Sequence, residues 1–480
     1  MAAFVEKCRP LADKLERFFW IFLFINPCLD TLNGFYLKEI AKIDMLDVEF
    51  ATGSVTPTLV IRMVVLLVFA FYLLIIWDKR AILTVLPMGI AFVMSLVGEF
   101  RYFGSISVFT DLQYMARYGY NILVLFVYSH LFANMSAKHG RDKFLAQLDN
   151  LIALSIVILC SSILVSFATG RGYDTYADKL GYRGFRGYFY AGNDITAILL
   201  LLTPLSMATY MRMDLRKLSK WQALRYVAPT ALAANCMLII ATKTAFIALA
   251  VGFAGLFLFS LYSMVRGDGS EHLYRFMVLF TVTLALFAIL DWTSLGGLLQ
   301  AILISLDAME ANAEDIVMFA LSGRQIKFGW QLNIFKRGGI FTWLFGFGRG
   351  GLNLAENIPW MVAAEYVKPG EIMYILEMDV FEVLFYYGIF GIVSMLWLYA
   401  KVAIDFIRAV AKRIDAQSFA LFISLALCAG YLIMAGHVLF SVTSGFYFIF
   451  VIAYSRAYLA KKPEDVPVFR PVPPRRSKSF

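Results

Sequence analysis

The 480-residue chain is 60% hydrophobic and only 16% charged, with 44 phenylalanines and a formal net charge of +9. Soluble domains average about 45–50% apolar residues, so this composition excludes a water-soluble protein and indicates an all-α polytopic membrane protein. The positive charge does not call for nucleic acid, because the cytoplasmic loops of membrane proteins carry such an excess.

A helix needs about 20 apolar residues to cross the hydrocarbon core. On that measure twelve spans are expected, near 18–38, 57–77, 81–99, 113–134, 148–168, 193–211, 226–242, 245–265, 276–293, 379–400, 417–437 and 443–459. The N-terminal MAAFVEKCRPLADKLER is charged and does not read as a cleavable signal, and the apolar run after it reads as the first span. Twelve spans return both termini to one side. The connections holding Lys7–Arg17, Lys79/Arg80, Lys138–Lys143, Arg212–Arg225, Arg266/Arg275, Lys401–Arg413 and the tail carry about 27 of the 43 Lys and Arg, which makes that side cytoplasmic.

Two outer connections are long, 169–192 and 294–376. Within the second, LLQAILISLDAMEANAEDIVMFALSGR has helical periodicity with an acidic face. RQIKFGWQLNIFKRGG reads as a helix ending at Gly338/Gly339, and FGFGRGGLN as a Gly-rich turn. A structured loop of this length is usually functional. The chain thus divides into helices one to nine over 1–293, a large outer loop with helices over 294–376, helices ten to twelve over 377–460, and a basic, Pro-rich tail over 461–480 expected to be disordered at the membrane surface. No internal repeat stands out, which speaks against a transporter built from inverted halves. The five cysteines (Cys8, Cys28, Cys160, Cys236 and Cys428) form no CxxC pair and none lies in a polar outer loop, so neither a disulfide nor a metal site is expected.

Basic residues gather on the outer side. Arg183 and Arg186 stand in GYRGFRGYFYAGND, where glycines let backbone amides approach an anion. Lys243 lies in the tight turn ATKTA, and Arg324 opens the loop helix in LSGRQIKFGW. Guanidinium groups pair with phosphate oxygens bidentately, so such a cluster suits a diphosphate. Arg101 reads as a side chain snorkelling to the interface, whereas Arg62 and Arg117, at other outer span ends, stay open as accessory groups. The turn GFGRGG resembles a phosphate nest but lacks the ending of a P-loop.

Acids cluster in EMDVFEVLFYYGIFG. At about 100° per residue on a continuous helix, Glu377 would share a face with Phe381, Leu384, Phe385 and Gly388, while Asp379 would group with Glu382, Val383 and Tyr386. Glu377 above a Gly gap suits a reacting group, whereas Asp379 reads first as an acid favouring the helix N-terminus. His437, at the expected outer end of span eleven, is either a proton relay or a hydrogen-bonded structural histidine.

These stretches resemble the O-antigen polymerase and ligase group of bacterial envelope proteins. RGFRGYFYAGNDIT is similar to the family's Arg, Gly-Phe-Phe, Asn segment before a span. ATKTAFIALAVG is similar to its Ser-Arg-Gly-Ala turn, with Lys243 where Arg is usual; SGRQIKFGW with LFGFGRGG, and EMDVFEVLFYYGIFG, are similar to segments of its large outer loop. In the ligases of the group a His commonly stands there with ten residues between it and the Gly; here Glu377 holds that place, followed by ten residues and Gly388, which is similar to polymerases. The resemblance implies a lipid-dependent, metal-independent glycosyltransferase of the large transmembrane (GT-C) type in the bacterial inner membrane, with no cofactor and its active site on the periplasmic side. It implies a polymerase that moves a growing glycan from undecaprenyl diphosphate to the terminal hydroxyl of a new lipid-linked repeat unit. Its partners would be undecaprenyl diphosphate-linked glycans, the bilayer, and a chain-length regulator and flippase of the same pathway. In that reading Glu377, or else Asp379, is the general base, and Arg186, Arg324, Lys243 and Arg183 hold the diphosphate. The alternatives are a ligase that transfers polysaccharide to lipid A–core, a lipid-linked oligosaccharide flippase or transporter, and an inactive membrane subunit.

Overall fold

In a computed structural model the protein is described over residues 2–42, 56–175, 184–213, 219–267, 270–294, 297–311, 321, 324–357, 376–412, 414–434 and 436–460. Side-chain caps set many of the helix starts. After α1 (Ala2–Phe35), α2 (Pro57–Ile75) begins where the Thr56 hydroxyl accepts from the Leu59 amide, with Pro57 in the first turn. α3 (Lys79–Phe103) starts on Asp78, which accepts from the amides of Arg80 and Ala81. α4 (Val108–His139) and α5 (Arg141–Thr169) follow, and a short ribbon of β1 (Tyr173–Asp174) and β2 (Phe185–Gly187) closes the first long outer connection. α6 (Gly192–Arg212), α7 (Lys220–Ile240, with a Ser219/Gln222 capping box), α8 (Lys243–Val265, capped by Thr242) and α9 (Glu271–Thr293) come next.

In the large loop the structure describes α10 (Gly297–Ala311), α11 (Arg324–Arg337), α12 (Gly339–Phe345) and a 3-10 turn over Gly350–Asn357. The bundle ends with α13 (Asp379–Gly391), which runs on through a wider turn into α14 (Trp397–Lys412), and then α15 (Ala416–Met434) and α16 (Val442–Leu459). Among the described residues, 11 helices are long and apolar enough to cross a membrane. The expected span 113–134 is the difference: it lies in α4, which is 32 residues long but interrupted by Gln113, Arg117, Asn121, Ser129, His130 and Asn134. Several of these point inward, Asn121 and Ser129 being buried. The basic tail expected over 461–480 lies outside the described residues.

α6 and α16 occupy the centre. The apolar window of α6 is 94% shielded by the protein and that of α16 is 83% shielded, against 22% for α9, which therefore faces lipid. α6 packs on α7, α15 and α16, and α16 packs on α4.

One irregularity ties the large loop to the bundle. Gly388 has φ 68° and ψ −167°, which breaks α13. The carbonyls of Phe385 and Tyr386 instead accept hydrogen bonds from the amides of Phe347 (3.1 Å) and Gly348 (3.0 Å). Broken backbone at membrane depth is tolerated where protein groups satisfy it, and the Gly-rich turn does so here. The approach is close: a Cβ on Gly346 would stand 2.2 Å from the Tyr386 carbonyl carbon, and one on Gly388 2.4 Å from that of Leu344. The expectation that Glu377 and Gly388 share the face of one continuous helix therefore fails at both ends. Glu377 lies outside the helix with φ 58°, and Gly388 faces the backbone of α12.

Candidate active site

The starts of α4, α6 and α13 meet the turn 436–441 between α15 and α16, and those of α11 and α8 lie beside them, which gathers most of the charged groups picked out from the sequence. α11 is fixed on α13 by aromatic contacts, the ring of Phe328 lying 5.0 Å from Phe381 and 5.5 Å from Phe385. That contact brings Arg324, the first residue of α11, to Glu377. Arg324 Nη2 donates to Glu377 Oε2 at 2.5 Å, and Asn193 Nδ2 donates to the same oxygen at 3.2 Å. Asn193 is itself held by Tyr431, whose hydroxyl donates to its carbonyl at 3.0 Å.

The Glu377 backbone is in the left-handed region, uncommon for a residue with a side chain. Its amide donates to Glu382 Oε1 at 2.7 Å, and the Tyr114 hydroxyl donates to Glu382 Oε2. Glu382 is thus a buried brace for the turn that carries Glu377. Burial pushes the Glu377 carboxyl up, but the Arg324 guanidinium, with Lys327 adding to it, outweighs burial and holds it below the usual carboxylate value.

Asp379 has no exposed surface. Its Oδ2 accepts from the amides of Val438 (2.7 Å) and Leu439 (3.0 Å). Asn121 grips the same turn from α4, its Nδ2 donating to the carbonyls of Leu439 (2.9 Å) and Ser441 (3.0 Å). Asp379 thus acts as a cap for the turn bearing His437, rather than as an open carboxylate. His437 lies in that turn and not in a helix, because α15 ends at Met434. Its Nδ1 is 3.7 Å from Glu382 Oε2 and 4.0 Å from Asp379 Oδ1, beyond hydrogen-bond length. Burial, with the charges of Arg117 and Arg349 on the same side, lowers its pKa to about 4, so the ring is neutral at physiological pH.

Asp379, Glu382 and His437 offer donor atoms within 4.8 Å of one another, a spacing open to a metal ion. The chemistry of this donor set does not favour one. Three of the four carboxylate oxygens already accept hydrogen bonds, and two guanidinium charges act on the imidazole.

The Gly-rich turn holds an anion, and that anion belongs to the protein. The amides of Arg349 and Gly350 donate to Asp111 Oδ1 (2.7 Å) and Oδ2 (2.9 Å). The weak likeness to a phosphate nest is thus accounted for by a carboxylate of α4. This contact buries Arg349, whose guanidinium lies 5.9 Å from the centre of the Tyr114 ring. Arg349, Glu382, Asn193 and Lys327 are site residues that motif reading did not single out as such. Arg349 stands in GFGRGG, where the glycines carry the local signal, and only the fold brings its charge to His437.

The remaining cations divide. Arg186 is buried over the Tyr173 ring at 5.5 Å and fills the space left by Gly192, at the start of α6 and one residue from Asn193. Lys243 opens α8 and feels the charge of Arg324. Arg117 faces His437 and Asp194. Arg62 does not reach this group, because it pairs with buried Asp30 and donates to Thr443 at 3.0 Å, joining α1, α2 and α16. Arg101 lies over the Phe341 ring at 4.7 Å, as a side chain at an interface would. Arg183 lies outside the described residues.

The arrangement is a cationic basin around two kinds of carboxylate. Arg117, Arg186, Lys243, Arg324 and Arg349 can oppose a polyanion, Glu377 is accessible, and Asp379 and Glu382 are internal. No curated protein and no solved structure matches the chain. The model of a family described as O-antigen ligase like membrane protein matches residues 12–316, more than half of the chain, taking in Arg117, Arg186 and Lys243 and ending before Arg324 and Glu377. By that match the chain belongs to the O-antigen ligase-like membrane protein family.

Proposed function

We propose that the protein is a polysaccharide polymerase of the bacterial inner membrane, working on the periplasmic side on undecaprenyl diphosphate-linked glycans. Both termini are then cytoplasmic, the loop 294–376 is periplasmic, and the basic end of the bundle faces the cytoplasm. The observation that carries the reading is the Arg324–Glu377 pair within a ring of further cations. A group able to bind a leaving diphosphate there touches a group able to take a proton.

In this mechanism the terminal hydroxyl of a new lipid-linked repeat unit attacks the anomeric carbon of the growing chain. The new glycosidic C–O bond forms as the bond to the diphosphate breaks, and the electron pair leaves with the diphosphate. Arg324, Arg186 and Lys243 take up that negative charge, with Arg349 and Arg117 deepening the positive field. Glu377 receives the acceptor's proton. Glu382 and Asp379 position Glu377 and the His437 turn and make no contact with substrate.

Purified protein incubated with an undecaprenyl diphosphate-linked repeat unit should yield a ladder of longer lipid-linked glycans. Unchanged substrate with active flippase-free membranes as control would refute the reading. The family to which the chain belongs favours a second reading, a ligase. Product appearing only when lipid A–core is supplied as acceptor would establish that reading instead.

A further inference from the structure

A cavity lies at the end of the bundle remote from this site. It encloses about 410 Å³ between the start of α5 and the ends of α6 and α16, within the roughly 300–1,000 Å³ common to small-ligand sites. Arg141, Asp142, Asp149, Arg212 and Tyr458 supply its polar lining, with Leu145 beside them.

Two guanidinium groups share one aromatic ring there. Arg141 lies 5.9 Å and Arg212 5.6 Å from the centre of Tyr458. Each has one arm fixed: Arg141 Nη2 donates to the Tyr458 carbonyl, and Arg212 Nη2 donates to Asp149 Oδ2 at 2.6 Å. The Nε atoms of both are shielded from solvent without a hydrogen-bond partner among the described residues. Asp149 is already engaged, since its Oδ1 also accepts from Tyr454 at 2.7 Å. The first turn of α5 opens beside them, and its N-cap, Gly140, provides no side-chain cap. Asp142, in that turn, is exposed.

We infer that this cavity binds the phosphate of a phospholipid headgroup that carries an amine, as in phosphatidylethanolamine. The phosphate lies between the Arg141 and Arg212 guanidiniums, where bidentate donors match its oxygens. The amine lies on Asp142. Charge balance selects this occupant. Two arginines and two aspartates sum to zero, which suits a zwitterion better than free inorganic phosphate. Recesses between helix ends that present arginines at the headgroup level are recurrent lipid sites. The inference is independent of the reaction proposed above, because it uses none of its residues.

The test uses the full-length protein, purified in detergent, with native mass spectrometry and thermal unfolding read in parallel. Phosphatidylethanolamine should stay bound and raise Tm, and phosphatidylcholine, whose quaternary amine has no N–H to donate to Asp142, should do so more weakly. Inorganic phosphate at equal ionic strength should have no effect. Arg141→Gln and Asp142→Asn should each lower phosphatidylethanolamine occupancy about tenfold, the loss of one charge-assisted hydrogen bond. Lys143→Gln, the next residue but outside the cavity lining, should leave occupancy unchanged. Equal occupancy in Arg141→Gln and the parent protein would overturn the site. Equal occupancy in Asp142→Asn, or equal stabilisation by inorganic phosphate, would overturn the choice of an amine-bearing lipid.

Discussion

Glu377 is paired with the cation that the proposed donor would need, and this makes a testable prediction about how its basicity is controlled. In the resting site Arg324 Nη2 lies 2.5 Å from Glu377 Oε2. Burial raises the proton affinity of Glu377, and Arg324 reverses that, leaving it below its ordinary value of 4.5. A diphosphate that engages Arg324 removes the reversing charge and leaves burial in control. The carboxylate then becomes more basic when the acceptor's proton has to move. Glu377→Gln keeps the shape and an acceptor oxygen for Arg324 but removes the base, and it should lower turnover by about 10²–10⁴-fold. Donor-lipid affinity should be no weaker than in the parent, because the competing carboxylate charge is gone. Arg324→Gln should weaken donor binding by roughly 10–100-fold, the loss of a charge-assisted contact of about 1.5–3 kcal/mol. It should also move the acid limb of the kcat/KM profile upward, because the chief group holding Glu377 down is gone. Fluorescent lipid-linked repeat units, with products resolved by length, give both quantities. Full turnover in Glu377→Gln, or an acid limb that stays in place in Arg324→Gln, would refute the reasoning.

Three further outcomes follow from the surrounding geometry. Glu382→Gln weakens the anionic acceptor that holds the Glu377 amide at 2.7 Å, so kcat should fall while KM for the donor stays constant, and Glu382→Asp should not rescue it because the shorter side chain cannot span the gap. Gly388→Ala forces a Cβ to 2.4 Å from the Leu344 carbonyl carbon at φ 68°, and should destabilise the protein by roughly 3 kcal/mol or more, read as loss of detergent-stable protein by size-exclusion chromatography. His437 has a folded pKa of about 4 against 6.5 for a free imidazole. The unfolded chain therefore binds more protons between those values, stability falls as pH drops from 6.5 towards 4 by on the order of 3 kcal/mol, and His437→Gln should flatten the fall in Tm over that window.

The helices of the bundle were legible because their signal is local. Long apolar runs, and Gly at the close of α11, are read within a few residues of one another. The loop helix at Arg324–Arg337 was legible for the same reason. The face of α13 was not. A helical wheel assumes regular backbone, and nothing in EMDVFEVLFYYGIFG itself states that Gly388 is broken by a turn more than thirty residues upstream. α4 was read as one more apolar span although its interior polar residues serve the site: Tyr114 binds Glu382, Asn121 holds the His437 turn, and Asp111 fills the Gly-rich nest. Polarity facing inward from a membrane helix looks, in sequence, only like a weaker span.

The three acids at the start of EMDVFEVLFYYGIFG can now be separated by what each satisfies. A buried carboxylate is costly unless donors surround it. Asp379 finds them in the amides of Val438 and Leu439, and Glu382 in Tyr114 and the amide of Glu377. The amides they hold belong to irregular segments that would otherwise leave those amides unpaired. The acids and the broken backbone therefore stabilise each other. Glu377 differs in kind. Its side chain is 36% exposed, its partners are side chains rather than amides, and the chief one is a cation that an incoming anion can take away. Of the three, only Glu377 has a partner that can be exchanged without unfolding the site, and that property is what a group engaged once per turnover requires.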